Sequence, residues 1–212
     1  MDSTLSKAAS SAAAAIRETK TIAIIREKSE EAARQEATRL LGCGVRVVEV
    51  SLVTPGALDV LRWMNDSLHS AGRHFGAGTV LTADDARAAK KAGAEFIVSP
   101  ISSLALLGAA HEAGMTSVVG ALTPTECHEA ATGGADFVKL FPASLWSPKD
   151  MKGLLQALPT LRLVPTGGVT LDSATRWIEA GAVALGLGGT LRRAGDAAVA
   201  ALLADLAATS VG

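Results

Sequence analysis

Short apolar runs alternate with longer stretches of helical periodicity along the chain. The short runs are rich in Val, Ile and Leu, and neither a linker nor a low-complexity tract interrupts the alternation. The predicted strands are residues 21–26, 46–51, 74–78, 95–98, 116–120, 136–141, 162–165 and 183–187. The pattern therefore predicts eight strand and helix units in succession.

Glycines mark the ends of several predicted helices. Gly44, Gly93, Gly114, Gly134 and Gly181 are each followed within a few residues by an apolar strand, at spacings of 49, 21, 20 and 47 residues. These spacings are close to one or two multiples of a unit of roughly 20 to 25 residues, which indicates a weak internal repeat. A glycine in the left-handed conformation commonly ends a helix, so the repeat supports a βα architecture.

Strands that are apolar on both faces favour parallel pairing under a cover of helices, either as a closed barrel or as a doubly wound sheet. A dinucleotide-binding sheet would need GxGxxG after the first strand, but residues 26–29 read Arg-Glu-Lys-Ser. The length of 212 residues lies within the range of one barrel. We predict an α/β fold: a single (β/α)8 TIM barrel domain over residues 1–212, with a leading helix in the first 18 residues.

Composition narrows the classes of partner. The net charge is −1, aromatic residues make up 3% and Tyr is absent, so the sequence lacks the basic and aromatic surfaces that bind nucleic acid or anionic lipid. No apolar run is long enough to span a membrane, and the Ala-rich residues 12–16 are too short for the core of a signal peptide. A small-molecule partner is expected.

Cysteine and histidine usage gives no indication of a metal. Cys43 and Cys127 stand outside any metal-ligand spacing, and two cysteines in a chain of this size favour a reducing cytoplasm. The four histidines, at positions 69, 74, 111 and 128, are scattered, and we assign them surface or capping roles. We expect no metal and no cofactor.

Two ionisable residues interrupt apolar strands near their C-terminal ends, where (β/α)8 barrels carry their active sites. Lys139 lies in Phe-Val-Lys-Leu-Phe, on the same face as Phe137 and Phe141, and Glu49 lies in Val-Val-Glu-Val-Ser. Burial lowers the pKa of an amine and raises that of a carboxyl group. Lys139 is therefore a candidate imine-forming nucleophile, and Glu49 is a candidate general acid and base.

Other interpretations of these two residues stay open at this point. Lys139 and Glu49 could form a structural ion pair across the barrel, or the lysine could extend to solvent at the strand end. Because desolvating both charges is costly, such a pair is a weak source of stability, which favours a functional role.

Glycine-rich turns follow three of the predicted strands. Residues 76–80 (GAGTV) end the third strand and present Thr79, although an ordinary turn with Thr82 as the N-cap of the next helix would give the same pattern. Residues 165–169 (PTGGV) and 186–190 (GLGGT) follow the last two strands, where (β/α)8 enzymes bind phosphate through backbone N–H groups. Arg26 ends the first strand and is a candidate carboxylate ligand, or a solvated arginine.

Taken in order, these motifs resemble the 2-keto-3-deoxy-6-phosphogluconate aldolase family. They are VEVSLVTP around Glu49, GAGTVL at 76–81, SP at 99–100, KLFPA at 139–143, PTGGV at 165–169 and GLGGTL at 186–191. The resemblance runs from about residue 20 to 195. It implies a class I aldolase without metal, usually a homotrimer, that cleaves a 2-keto-3-deoxy-6-phospho sugar acid to pyruvate and glyceraldehyde 3-phosphate.

The same resemblance implies roles for single residues. Lys139 matches the Schiff-base lysine, and Glu49 matches the proton-transferring glutamate. The implied substrate-binding residues are Arg26, Thr79, Pro100, Phe141, Gly167, Gly168, Gly188, Gly189 and Thr190.

One position departs from the phosphogluconate pattern. Many phosphogluconate-specific members carry an arginine four residues after the glutamate, where this chain has Val53. A neutral residue there, and the stretch 145–158, look more like the phosphogalactonate aldolases, so either sugar acid stays open. The alternatives are a 4-hydroxy-2-oxoglutarate aldolase of the same family, a phosphosugar epimerase or synthase without an imine, and a non-catalytic phosphosugar-binding barrel.

Overall fold

The computed structural model describes residues 10–211. The strands are β1 Thr21–Ile25, β2 Val47–Ser51, β3 His74–Gly78, β4 Phe96–Val98, β5 Thr116–Ala121, β6 Phe137–Leu140 and β7 Leu185–Leu187. The helices are α1 Ser11–Thr19, α2 Glu30–Gly42, α3 Ala57–Leu68, α4 Ala83–Lys91, α5 Leu104–Glu112, α6 Pro124–Thr132, α7 Pro148–Ala157, α8 Leu171–Glu179, α9 Gly189–Arg193 and α10 Asp196–Ala208. A 3₁₀ turn covers Ala143–Leu145. Of the predicted leading helix, the first nine residues lie outside the described part.

Seven parallel strands follow each other in the order β6-β5-β4-β3-β2-β1-β7. The remaining gap, between β6 and β7, is filled by residues 162–166, here named the closing segment. Val138 forms a bridge with Leu163 on one side of this segment, and Thr166 forms one with Gly186 on the other. The predicted α/β TIM-like barrel is confirmed, with seven strands and a nearly closed ring.

The prediction of a strand at 162–165 was wrong, because this range contains only the isolated bridge at Leu163 and the second bridge lies just beyond it at Thr166. On the β6 side the segment does hydrogen-bond regularly, for example from Val164 N to Val138 O at 2.8 Å and from Leu140 N to Val164 O at 3.1 Å. On the β7 side Pro165 accepts a bond from Gly186 N at 2.9 Å but has no N–H to donate in return. The hydrogen-bond ladder between the closing segment and β7 is therefore incomplete.

Glycines end the helices as the repeat predicts. The five glycines of the repeat all have positive φ, between 67° and 106°, directly after α2, α4, α5, α6 and α8. Side chains cap the N-termini of several helices, and Thr82 forms a reciprocal capping box with Asp85 at the start of α4. These local signals fix where each helix begins and ends, and so how it returns to the next strand.

The core has two layers. The larger one lies between the strands and the surrounding helices, and the smaller one fills the N-terminal half of the barrel. The inner layer contains Ile22, Val47, Phe96 and Phe137, and Ile16 of α1 packs into it from below. The N-terminal end of the barrel is therefore filled with apolar side chains, which leaves the C-terminal end for polar ones.

His74 corrects one expectation. We assigned all histidines to surface or capping roles, but His74 is only 9% exposed and its Nδ1 lies 2.8 Å from Glu95 Oε2. It is the first residue of β3, and Glu95 directly precedes β4, so the parallel pairing of these strands brings the two side chains together.

Among the described residues, no helix is long and apolar enough to cross a membrane.

Candidate active site

Lys139 extends from β6 into the interior of the barrel. The residue is only 5% exposed, and its Nζ lies 4.9 Å from the centroid of the Phe141 ring. Burial lowers the pKa of the Lys139 amine; the charge of Arg26 lowers it further, while that of Glu49 opposes the shift. The amine is thus more available as a neutral nucleophile than that of an exposed lysine.

Glu49 extends from β2 and is almost fully buried, at 1% exposure. Its Oε2 atom has no hydrogen-bond partner among the residues that the structure describes. Burial raises the pKa of Glu49, and the positive charges of Lys139 and Arg26 only partly offset this effect. A buried carboxyl group with a raised pKa can both give and take a proton near neutral pH.

The two side chains come from opposite walls of the barrel. In the ring of seven strands and the closing segment, three strands separate β2 from β6 on one side, and two strands and the closing segment separate them on the other. Both residues face inward, and each influences the pKa of the other. Because Glu49 Oε2 has no partner, Lys139 is not hydrogen-bonded to this oxygen. The pair is therefore not closed through this oxygen.

Glycines on the intervening strands leave room for these side chains. Gly120 is the register partner of Lys139 on β5, and Gly76 is the partner of Glu49 on β3. A Cβ atom at Gly78 would lie 2.5 Å from Glu49 Oε1, and one at Gly120 would overlap the backbone of Pro100. The missing side chain at Gly78 makes room for the Glu49 carboxyl group, and the one at Gly120 lets the backbone of Pro100 approach β5 closely.

Lys139 opens into a cavity of about 250 Å³ at the C-terminal end of the barrel. The wall combines residues from β1, β6, the closing segment, β7 and the loops that follow them. It consists of Ile24, Arg26, Glu27, Glu36, Lys139, Phe141, Thr166, Gly167, Gly186, Gly188, Gly189 and Arg192. The structure thus brings both glycine-rich turns to the lysine, as their positions after the last two strands predict.

The glycines of the two turns differ in whether they line the cavity or pack against another part of the protein. Gly167 and Gly168 have φ of 80° and 97°, a conformation that L side chains rarely adopt. Gly167, Gly188 and Gly189 line the cavity, whereas Gly168 packs against Ser144, whose Cβ would lie 2.7 Å from an added Cβ.

Thr190 lies beside the cavity. Its hydroxyl donates a 2.5 Å hydrogen bond to the carbonyl of Val169, so it joins the two turns to each other. The Thr190 hydroxyl therefore already has a hydrogen-bond partner within the protein.

Thr79 follows β3 with a positive φ of 56°, which is unusual for a β-branched residue. Its hydroxyl lies 2.6 Å from the hydroxyl of Ser51, the last residue of β2. Ser51 is two residues beyond Glu49 and faces the same side of the strand. The structure places Thr79 near Glu49, on the wall opposite the glycine turns.

Pro100 lies in a neighbouring cavity of about 740 Å³, between the loop after β4 and helix α6. Phe141 lines both this cavity and the one that contains Lys139. Pro100 is therefore not among the residues that line the lysine cavity, whereas Arg26 is.

Several wall residues were not singled out in the sequence. Thr166 and Gly186 fit closely together, because a Cβ at Gly186 would overlap the Thr166 side chain. Glu27 and Arg192 form an ion pair at 3.2 Å, and Glu36 lies behind them. Glu27 could have been identified from the sequence only by its position just after a strand. Nothing in the local sequence distinguishes Arg192 from its neighbour Arg193.

Within residues 10–211, no three His, Cys, Asp or Glu side chains form a group that could hold a metal ion.

The fold and the side chains inside it are those of a (β/α) barrel enzyme with its active site at the C-terminal ends of the strands. A family model described as "Aldolase: KDPG and KHG aldolase" matches residues 12–201, and the chain belongs to this family. The family consists of aldolases, which are carbon–carbon lyases. The resemblance to the 2-keto-3-deoxy-6-phosphogluconate aldolase family is therefore confirmed.

Individual relatives agree with this assignment. The chain is 32% identical over 176 residues to 2-dehydro-3-deoxy-6-phosphogalactonate aldolase of Escherichia coli strain K12, covering 82% of this chain and 85% of that protein. A solved structure described as native KDPGal has a TM-score of 0.78 and 31% identity, covering 88% of this chain and 91% of the other. The KDPG aldolase of Legionella pneumophila, with pyruvate captured as a covalent carbinolamine, has a TM-score of 0.77 and 25% identity, covering 94% and 98%.

Proposed function

We propose that the protein is a class I aldolase that cleaves a 2-keto-3-deoxy-6-phospho sugar acid to pyruvate and glyceraldehyde 3-phosphate through an imine on Lys139. The observation that carries this proposal is the buried amine itself. Its pKa is lowered by burial, it opens into a cavity, and a carboxyl group approaches from the opposite wall. An amine with these properties condenses with a keto group near neutral pH.

The proposed reaction uses Lys139 as the nucleophile and Glu49 as the proton carrier. The neutral amine attacks C2 of the keto acid to form a carbinolamine, which loses water to give the imine. Breakage of the C3–C4 bond sends its electron pair into this imine, while the C4 hydroxyl loses its proton and the aldehyde departs. Protonation of the resulting enamine at C3 and hydrolysis then release pyruvate. Glu49 receives and returns these protons through water.

The remaining predicted residues hold the substrate in this proposal. Arg26 lines the lysine cavity and supplies a positive charge for the carboxylate. Thr79 lies near the pyruvyl end, and Phe141 packs beside the amine. Gly167, Gly168, Gly188, Gly189 and Thr190 form the phosphate-binding turns, and Pro100 borders Phe141 from the neighbouring cavity.

Borohydride trapping tests the imine. The wild-type protein incubated with pyruvate and borohydride should gain the mass of one reduced pyruvyl group, and peptide mapping should locate it at Lys139. Lys139→Met should lose both the adduct and pyruvate release. Lys152→Met, which removes an exposed lysine on α7, is the matched control and should retain both. An adduct that persists in Lys139→Met would remove Lys139 from this role.

The substrate's configuration needs a direct assay. Val53 is 60% exposed and carries no charge where phosphogluconate-specific members have arginine. We propose that the preferred substrate is of the galactonate type, in agreement with the first relative named above. Pyruvate release from gluconate-type, galactonate-type and 4-hydroxy-2-oxoglutarate substrates at equal concentration should rank them, and preference for another substrate would overturn this choice.

We also propose that the protein is a cytoplasmic homotrimer. Both cysteines are unpaired, as a reducing compartment requires. Five large apolar side chains are exposed after β2, β3, β4 and β6, all around the C-terminal rim. They are Val53, Leu81, Ile101, Leu104 and Leu145. Light scattering should give three times the chain mass, and Leu104→Asp, at the most exposed of these positions, should reduce it.

A further inference from the structure

Arg192 lies in the wall of the lysine cavity, at the fourth position of α9. Its Nε lies 3.2 Å from Glu27 Oε1. The arginine side chain is 60% exposed, whereas that of Glu27 is only 12% exposed. Glu27 is fixed further by a bond from its backbone N–H to the Thr54 hydroxyl at 3.1 Å. A firmly held carboxylate thus anchors one nitrogen of a largely solvated guanidinium.

The cavity holds two carboxylates that differ in how they are neutralised. Glu36 receives two hydrogen bonds of 2.8 Å from Arg39, so its charge is balanced outside the cavity. Among the described residues, Arg192 is the only ion-pair partner of Glu27. Without Arg192, an anion beside the glycine turns would face an uncompensated carboxylate.

We propose that Arg192 binds the distal phosphate of the substrate and that Glu27 positions it for this contact. The inference rests on the proposed function, which brings a phosphate to Gly167, Gly188 and Gly189. A guanidinium has five N–H donors, so binding Glu27 through Nε leaves its two terminal amino groups free for phosphate oxygens. In residues 10–211 those amino groups have no hydrogen-bond partner.

The side chain therefore adds to the glycine turns what their backbone N–H groups lack, namely a full positive charge. It also makes Arg192 a determinant of specificity for phosphorylated over unphosphorylated sugar acids. Lys139 and Glu49 act at the other end of the substrate, so Arg192 should affect binding of the phosphate without affecting imine formation.

The test compares two substrates on the same variants. Arg192→Gln should lower kcat/KM for the phosphorylated 2-keto-3-deoxy sugar acid by about 10- to 100-fold, mainly through KM, as expected for the loss of a charge-assisted hydrogen bond. For the same acid without its phosphate, kcat/KM should change by less than about 2-fold. Arg176→Gln, which removes the same charge from the exposed side of α8, should match wild type on both substrates.

Glu27→Gln gives an independent readout. The amide oxygen can still accept a bond from Arg192, but the negative charge near the phosphate is gone, so KM for the phosphorylated substrate should fall about 2- to 5-fold. If Arg192 and Glu27 serve only to hold α9, both variants will change kcat/KM equally for the two substrates, which overturns the inference. Failure of wild type to form the pyruvate adduct would instead refute the proposed function.

Discussion

The two ends of the barrel differ in how their buried ionisable side chains are paired. At the N-terminal end, His74 contacts Glu95 at 2.8 Å, and Asp136 Oδ2 accepts bonds from the backbone and hydroxyl of Ser117 at 2.9 and 3.1 Å. At the C-terminal end, Glu49 Oε2 lacks a hydrogen-bond partner among the described residues. At the N-terminal end the Thr21 hydroxyl and one oxygen of Glu95 also lack a partner among the described residues, but the other oxygen of Glu95 is paired with His74.

The paired groups at the N-terminal end are expected to serve stability, and Lys139 and Glu49 at the C-terminal end are expected to serve activity. A buried polar group that is paired within the protein contributes to folding, whereas an unpaired one costs free energy. The C-terminal end accepts this cost at Lys139 and Glu49, where burial shifts both pKa values toward the neutral forms. We expect substitutions at that end to reduce activity more than stability, and substitutions at the N-terminal end to do the reverse.

Lys139→Met should have the largest effect. Turnover should fall on the order of 10⁴-fold or more, because the covalent route is lost. The free energy of unfolding should not fall, because an apolar side chain of similar length replaces a desolvated amine and the raised pKa of Glu49 lets its carboxyl group stay protonated. Urea unfolding and an assay of pyruvate release measure the two quantities. A clear loss of stability would show that the lysine is a structural residue.

Glu49→Gln should reduce kcat by about 10²- to 10⁴-fold, because proton transfer is lost while the shape of the side chain is kept. The amide still fits against Gly78, so the protein should fold normally. Steady-state kinetics together with circular dichroism provide the measurement. If kcat stays within a few-fold of wild type, another group carries the protons.

His74→Ala should lower the free energy of unfolding by about 1 to 3 kcal/mol, because it leaves the Glu95 carboxylate without its partner in a half-buried place. Activity per folded molecule should equal that of wild type. The matched control is His69→Ala, at an exposed position after α3, which should change stability by less than about 0.5 kcal/mol. Equal effects of both variants would contradict a structural role for the buried pair.

The smallest effect should be seen in the pH dependence of stability. The pKa of Glu49 is raised above its ordinary value of 4.5. Just above pH 4.5 the folded protein therefore binds a proton that the unfolded chain has lost. Stability consequently falls as pH rises through this interval and up to the raised pKa.

Glu49→Gln should lack this decrease. Its stability relative to wild type should therefore increase from pH 4.5 upward, as measured by urea unfolding at a series of pH values. Parallel stability curves for the two proteins would show that the folded and unfolded pKa values of Glu49 are the same.

Local sequence signals were sufficient for most of the fold. Apolar runs of four to six residues predicted the positions of the seven strands, and glycines with positive φ follow five of the helices. Lys139 and Glu49 could be identified from the sequence as candidate site residues because a charged residue in a buried strand is costly. The closing segment was predicted as a full strand because periodicity does not register the N–H that Pro165 lacks.

Only the tertiary structure decided which groups meet. Sequence placed Lys139 and Glu49 late in their strands, but the order of strands around the ring puts them on opposite walls, and Gly78 makes room for the Glu49 carboxyl group. The pairing of His74 with Glu95 depends in the same way on the register of β3 and β4. The contact between Glu27 and Arg192 joins the loop after β1 to helix α9, 165 positions further along the sequence. Periodicity reports which face a residue occupies, whereas contact between distant residues depends on how the barrel closes.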